Sequence, residues 1–158
     1  MRKLLAPAAA FLMITSCGGT AEHRASEQGA INPALATPVA PATVHLASSS
    51  IGKILVDGKG MTLYLFEKDK NGTSACYDEC AEEWPPYLTK GDPKAEHGAK
   101  PDLLTTVNRT DGGTQVVYGR WPLYHYHDDK KPGDLTGHDK KEFGAEWYAV
   151  NAQGQKAH

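Results

Sequence analysis

Leu63-Tyr64-Leu65-Phe66-Glu67-Lys68-Asp69 returns sixty positions later as Leu123-Tyr124-His125-Tyr126-His127-Asp128-Asp129. In each copy an aromatic pair at i and i+2 is followed three residues on by an aspartate. A turn-rich run comes next, Lys70-Asn71-Gly72 in the first and Lys130-Lys131-Pro132-Gly133 in the second. Alternating aromatics that run into a turn mark the end of a β-strand. Two copies of one element imply two copies of one unit.

Upstream of the first copy, Val44-His45-Leu46, Ile51 to Val56 and Met61 to Phe66 are short β-prone runs. A serine-rich turn and Asp57-Gly58-Lys59-Gly60 separate them, a spacing that predicts an antiparallel meander. The second half repeats the plan with Leu103 to Val107, the Asp111-Gly112-Gly113 turn, Thr114 to Tyr118, and Trp121 to Tyr126. Each half then closes on a tryptophan, Trp84 or Trp147, and Lys90 to Lys100 between them reads as a loop. Neither half has enough strands to bury both faces alone. The sequence therefore predicts one all-β domain over residues 43–150, in which two tandem antiparallel β-meander repeats pack as a pseudo-twofold sandwich or partly closed barrel. Residues 151–158 read as a flexible C-terminal tail. Within the strands Tyr64 shares a face with Phe66, and Tyr124 with Tyr126, so these pairs are expected to point inward with their hydroxyls on polar partners. Asp69 and Asp129 are expected to accept backbone N–H groups two residues on.

The N-terminus has a different character. Arg2 and Lys3 precede an apolar run from Leu4 to Met13, too short for a mature membrane span and of the size of a signal peptide. Ile14-Thr15-Ser16-Cys17 resembles a bacterial lipobox, which makes residues 1–16 a lipoprotein signal peptide and Cys17 the acylated residue that contacts membrane lipid. Two or three acyl chains, palmitate among them, would anchor the protein stably. Removing residues 1–16 takes two positive charges and leaves a formal charge of −4, without the basic footprint that nucleic acid requires. Residues 17–42 are rich in Ala, Pro, Ser, Thr and Gly and show no hydrophobic period, so they are expected to be a disordered linker. Such a tether would hold the domain roughly 25–30 Å from the lipid.

With Cys17 lipidated, Cys76 and Cys80 remain to form a disulfide worth roughly 2 kcal/mol in loop entropy. A regular helical turn holds i, i+4 β-carbons too far apart for that bond, so the turn is expected to be irregular. A thiol-disulfide redox role is the rival, but the surrounding Tyr77, Asp78, Glu79, Glu82 and Glu83 disfavour a thiolate. His125, His127 and Asp129 alternate along one strand, with His138 nearby, and could hold copper or zinc. Leu65 and Glu67 stand at the matching places in the first half, so the repeat does not call for ligands there. No EF-hand register, phosphate-binding glycine loop or activated nucleophile stands out.

Taken together, these residues resemble the bacterial predicted lipoproteins with a Y-x-[FWY]-x-x-D motif, also described as a secreted repeat of unknown function. Both copies of the motif match, as do Cys76, Cys80, Trp84-Pro85-Pro86, Asp111-Gly112 to Gln115-Val116, Pro122-Leu123-Tyr124, Pro132-Gly133-Asp134, Gly137 and Trp147. The resemblance implies export and usually lipidation, and no established reaction or ligand. The expectation is a non-catalytic binding or structural module of the bacterial cell envelope, facing a protein or small-molecule partner. With Gly18 rather than aspartate after Cys17, a Gram-negative source would place it at the outer membrane. The alternatives are the metal-binding and redox readings.

Overall fold

A computed structural model describes residues 40–158. The signal peptide, Cys17 and the linker through residue 39 lie outside the described residues. The first half contains β1 (Thr43–Ser49), β2 (Gly52–Asp57), β3 (Tyr64–Phe66), a short helix α1 (Glu79–Glu83), β4 (Leu88–Thr89) and β5 (Lys94–Ala95). The second half opens with a 3-10 turn at Pro101–Leu103 and continues through β6 (Leu104–Asn108), β7 (Thr114–Tyr118), β8 (Trp121–Pro122), β9 (Lys140–Glu142) and β10 (Ala145–Ala149). The described residues are all-β in class and form several sheets with no closed barrel among them, consistent with a sandwich.

The hairpins expected from turn chemistry are present. β1 pairs with β2, and β6, β7 and β8 form a meander, all antiparallel. One hairpin went unread in the sequence: β9 and β10 join through Phe143 and Gly144, both at positive φ (55° and 87°). Two consecutive positive φ values are the signature of the tight turn whose twist matches paired strands.

The meanders are not independent, and that is the main departure from expectation. The segment that follows each tryptophan leaves its own half and pairs with the other, at Tyr87 after Trp84 and at Val150 after Trp147. Val150 donates its N–H to Leu63 C=O (3.2 Å) and accepts from Leu55 N–H (2.7 Å), while Tyr87 donates to Leu123 C=O (2.8 Å) and accepts from Val116 N–H (2.8 Å). Leu63 N–H to Leu55 C=O (3.0 Å) and Leu123 N–H to Val116 C=O (2.9 Å) complete the two matching sets. β3 accordingly pairs with β10, setting Phe66 opposite Trp147, and β4 pairs with β7. At the centre Tyr64 and Tyr124 form a reciprocal antiparallel bridge, with N–H to C=O distances of 2.9 and 3.0 Å.

Two buried clusters flank this centre. Tyr64, Phe66, Tyr124 and Tyr126 enter an aromatic cluster with Trp84 and Trp147. Leu63, Leu65 and Leu123, on the opposite face of the same segments, enter an aliphatic cluster with Val44, Leu55, Val116, Tyr118 and Val150. The repeated element is thus buried on both faces, a condition that favours continuous apolar runs over simple alternation.

Three boundary expectations need correction. Residues 151–158 are not a loose tail. Asn151 Oδ1 accepts N–H groups from Gln153 (2.9 Å) and Gln155 (3.0 Å), Ala157 N–H donates to Ala149 C=O (2.9 Å), and Ala157 is buried. Ala42, assigned to the linker, is buried and donates its N–H to Thr89 Oγ1 (3.0 Å). The loop from Lys90 to Lys100 contains β5, which pairs in parallel with β1.

Gly137 lies against the aromatic cluster. A Cβ there would stand 2.7 Å from Trp84 Cη2, 2.9 Å from Trp84 Cζ3 and 3.0 Å from Tyr126 Cβ, all held by packing on their far sides. Gly137→Ala is therefore expected to destabilise the fold by about 1–3 kcal/mol, the usual cost of overpacking. Urea unfolding followed by tryptophan fluorescence measures it, and an unchanged midpoint would show that the stack has room to move.

Candidate functional site

The residues singled out by the repeat converge on one place. Tyr64 Oη donates to Asp129 Oδ2 (2.6 Å), and Tyr124 Oη donates to Asp69 Oδ2 (2.8 Å). The tyrosine of each copy thus bonds the aspartate of the other. Asp69 Oδ1 accepts the N–H of Ala75 (2.7 Å), and Asp129 Oδ1 accepts the N–H of Thr136 (3.0 Å). The carboxylates do hold turns, but six and seven residues on rather than two. The second aromatic of each copy also crosses over. Phe66 stacks on Trp147, with ring centroids 3.9 Å apart and planes 7° off parallel, and Tyr126 lies over Trp84 at 4.3 Å. Trp84 and Trp147 stack on each other at 3.9 Å and 6°. Glu142 serves both indoles, its carboxylate accepting from Trp84 Nε1 (2.9 Å) and its carbonyl from Trp147 Nε1 (3.3 Å).

This centre is a filled interior rather than a pocket. Tyr64, Phe66, Trp84, Tyr124 and Trp147 are fully buried, and Tyr126, Asp69 and Asp129 nearly so. Among the described residues every buried side-chain nitrogen and oxygen has a hydrogen-bond partner. Burial, reinforced by the adjacent carboxylates, pushes the Tyr64 and Tyr124 phenols far above their ordinary range and keeps them as donors. Burial also pushes Asp69 up to about 6, although the Ala75 amide, the Tyr124 hydroxyl and the charge of Arg109 act in the opposite sense.

Cys76 and Cys80 are disulfide-bonded, with Cα atoms 5.2 Å apart. As expected, the turn is irregular: Cys76 precedes the five-residue α1, and Asp78 has a φ of 53°. Both cysteines are buried, as suits a staple. Arg109 ties this turn to the β6–β7 loop. Its guanidinium donates to Cys76 C=O (2.9 Å), Ser74 Oγ (2.9 Å), Gln115 Oε1 (2.9 Å) and Asp111 Oδ2 (2.7 Å), and it lies over the Tyr77 ring. Ser74 Oγ lies 2.7 Å from Tyr124 Oη, whose single proton goes to Asp69, so the serine hydroxyl donates to the phenol oxygen and Arg109 belongs to the same network.

A family model described as a secreted repeat of unknown function matches residues 45–87 and again residues 105–151. The chain belongs to that family. The first secreted-repeat match ends on Tyr87 and the second one residue past Val150, the two residues whose backbones cross between halves. A secreted repeat goes with an extracellular or envelope location, and no described helix is long and apolar enough to cross a membrane. No curated protein and no solved structure matches the chain.

In this secreted-repeat chain the four residues considered as metal ligands are held apart. His125 Nε2 pairs with Asp57 Oδ2 (3.1 Å). Burial works against the Asp57 charge, but hydrogen bonds from His125 and from the Met61 and Lys59 amides outweigh it and hold the carboxyl below its usual range. His127 is exposed between Glu83 (3.0 Å) and Asp128 (3.1 Å). Asp129 is committed to Tyr64 and Thr136, and His138 Nδ1 accepts the N–H of Ala149 (3.2 Å), with burial lowering its basicity. Among the described residues a three-ligand cluster forms elsewhere, at His45, Glu96 and His97. Local spacing gives no signal for that cluster, because His45 lies about fifty positions from the other two. Arg109 was missed for a similar reason, since nothing in Asn108-Arg109-Thr110 marks a buried cation.

Two substitutions test the network. Tyr124→Phe removes a donor from a buried carboxylate and is expected to cost about 1.5–3 kcal/mol in urea unfolding at neutral pH. The raised pKa of Asp69 has a definite sign. Between its ordinary 3.8 and about 6 the folded state holds the proton that the unfolded chain has released, so this group's contribution to stability falls as pH rises through that window. Asp69→Asn should flatten the pH 4–6 part of the stability profile, and an identical slope in the variant would refute the assignment.

Proposed function

We propose that this chain is a non-catalytic envelope module, anchored through acylated Cys17, which presents the outer surface of a rigid duplicated β domain to a protein or small-molecule partner. The observation that carries this reading is the use made of the repeated element. Its tyrosines, aspartates and tryptophans bond and stack on one another inside the domain, so they serve as framework rather than as ligand-binding groups. What remains for recognition is the exterior of the sheets and the loops between them, where binding residues concentrate in rigid scaffolds.

The anchor rests on the sequence Ile14-Thr15-Ser16-Cys17 after the apolar run, and the Pro- and Ala-rich stretch that ends before Ala42 provides the length of a tether. Gly18, in place of an aspartate, favours the outer membrane in a Gram-negative cell. Membership of a secreted-repeat family supports the export step on which this reading depends.

Labelling decides it. The full chain expressed in a bacterial host with an alkyne analogue of palmitate should incorporate label and sediment with membranes, whereas Cys17→Ala should lose the label and move to the soluble fraction. An unlabelled wild-type protein, or label that persists in Cys17→Ala, would refute the anchor.

A further inference from the structure

The β1–β5 edge gathers three potential ligands that the repeated element does not use. His45 lies on β1, and Glu96 and His97 directly follow β5. Parallel pairing sets Val44 opposite Ala95, and Glu96 N–H then donates to Val44 C=O (2.9 Å), which fixes the Glu96 backbone beside His45. His45 Nε2 stands 3.2 Å from Glu96 Oε2. The next residue turns back: His97 has a φ of 47°, and its ring meets that of His45 edge-on, with centroids 4.6 Å apart at 79°. Ala99 N–H to Glu96 C=O (3.1 Å) closes the turn.

One ligand atom from each of the three residues lies within 4.8 Å of the other two. A tetrahedral zinc ion with bonds of about 2.0–2.1 Å sets its ligand atoms about 3.3 Å apart. The His45–Glu96 pair already has that separation, and His97, being exposed, can close the remaining gap by side-chain rotation. Two imidazoles and one carboxylate are a donor set suited to zinc or copper(II). The backbone bonds to Val44 hold two of the ligands in place before any ion arrives.

We propose that His45, Glu96 and His97 form a surface site for a divalent transition metal, zinc or copper(II). The remaining coordination positions face outward and are open to water or to a donor from a partner. Two neutral imidazoles and one carboxylate leave a bound divalent ion with a net positive charge, so an anionic donor from a partner would complete the site. The proposal is independent of the Cys17 anchor.

Zinc is titrated into the full chain, purified in detergent without a histidine tag, against a chromophoric chelator, and copper(II) is titrated in parallel. One equivalent is expected to bind. His45→Ala and His97→Ala should each weaken that binding at least tenfold while circular dichroism and the unfolding midpoint stay unchanged, and the His125→Ala, His127→Ala double variant should bind as the parent does. If His45→Ala perturbs the fold, the exposed His97→Gln variant carries the test with the same expected loss. Absence of saturable binding of either metal would overturn the proposal, as would binding retained when both His45 and His97 are replaced.

Discussion

Each half of this domain supplies the partner for the other half's tyrosine, and the rest of the structure depends on that reciprocity. A phenol–carboxylate bond in a dry interior is favourable only if both groups arrive together, because either one alone is a buried polar group without a partner. Tyr64 meets Asp129 and Tyr124 meets Asp69, so neither half can satisfy its own repeated element. The aromatic stack obeys the same rule, since Phe66 lies on the second half's tryptophan and Tyr126 on the first half's. So do the backbones, through the crossing strands at Tyr87 and Val150. Three kinds of interaction of different range thus enforce one arrangement, the mutual consistency that gives a sequence a single folded state.

This reciprocity explains why the duplication is retained within one chain. A single copy would expose one face of β3 and leave an aspartate and a tyrosine unpaired, at a cost comparable to the stability of a small domain. Joining two copies covalently supplies the complementary half at high effective concentration. Arg109 and the Cys76–Cys80 staple then brace the loop that carries Ser74 toward Tyr124, while Glu142 braces both indoles. The two halves are braced by different means although their centres match.

The repeat was legible because its aromatics and aspartate recur at fixed offsets in both copies, and period-two alternation placed Tyr64, Phe66, Tyr124 and Tyr126 in the interior. Turn chemistry located the β1–β2 hairpin at its serine-rich turn and the β6–β7 hairpin at Asp111-Gly112. The exchange between halves was not legible, because local alternation says which face is buried and nothing about which strand covers it. β4 and β9 are short and partly polar, as in Lys140–Glu142, and leave no hydrophobic run to detect. Asn151-Ala152-Gln153-Gly154 has the composition of a tail, but the Asn151 side chain closes it into a turn that buries Ala157. Likewise His45, Glu96 and His97 meet only through the parallel pairing of β5 with β1, and His125 and His127, expected on one strand, lie beyond the end of β8 and find separate carboxylates.

Interdependence of the halves is tested most directly by the amide NMR spectrum of residues 40–92 produced without the second half. The account predicts the narrow dispersion of an unfolded chain, because Tyr64, Phe66 and Asp69 then lack Asp129, Trp147 and Tyr124, the partners that the other half supplies. A well-dispersed spectrum with cooperative thermal unfolding would contradict it, since one repeat would then be a folding unit in its own right.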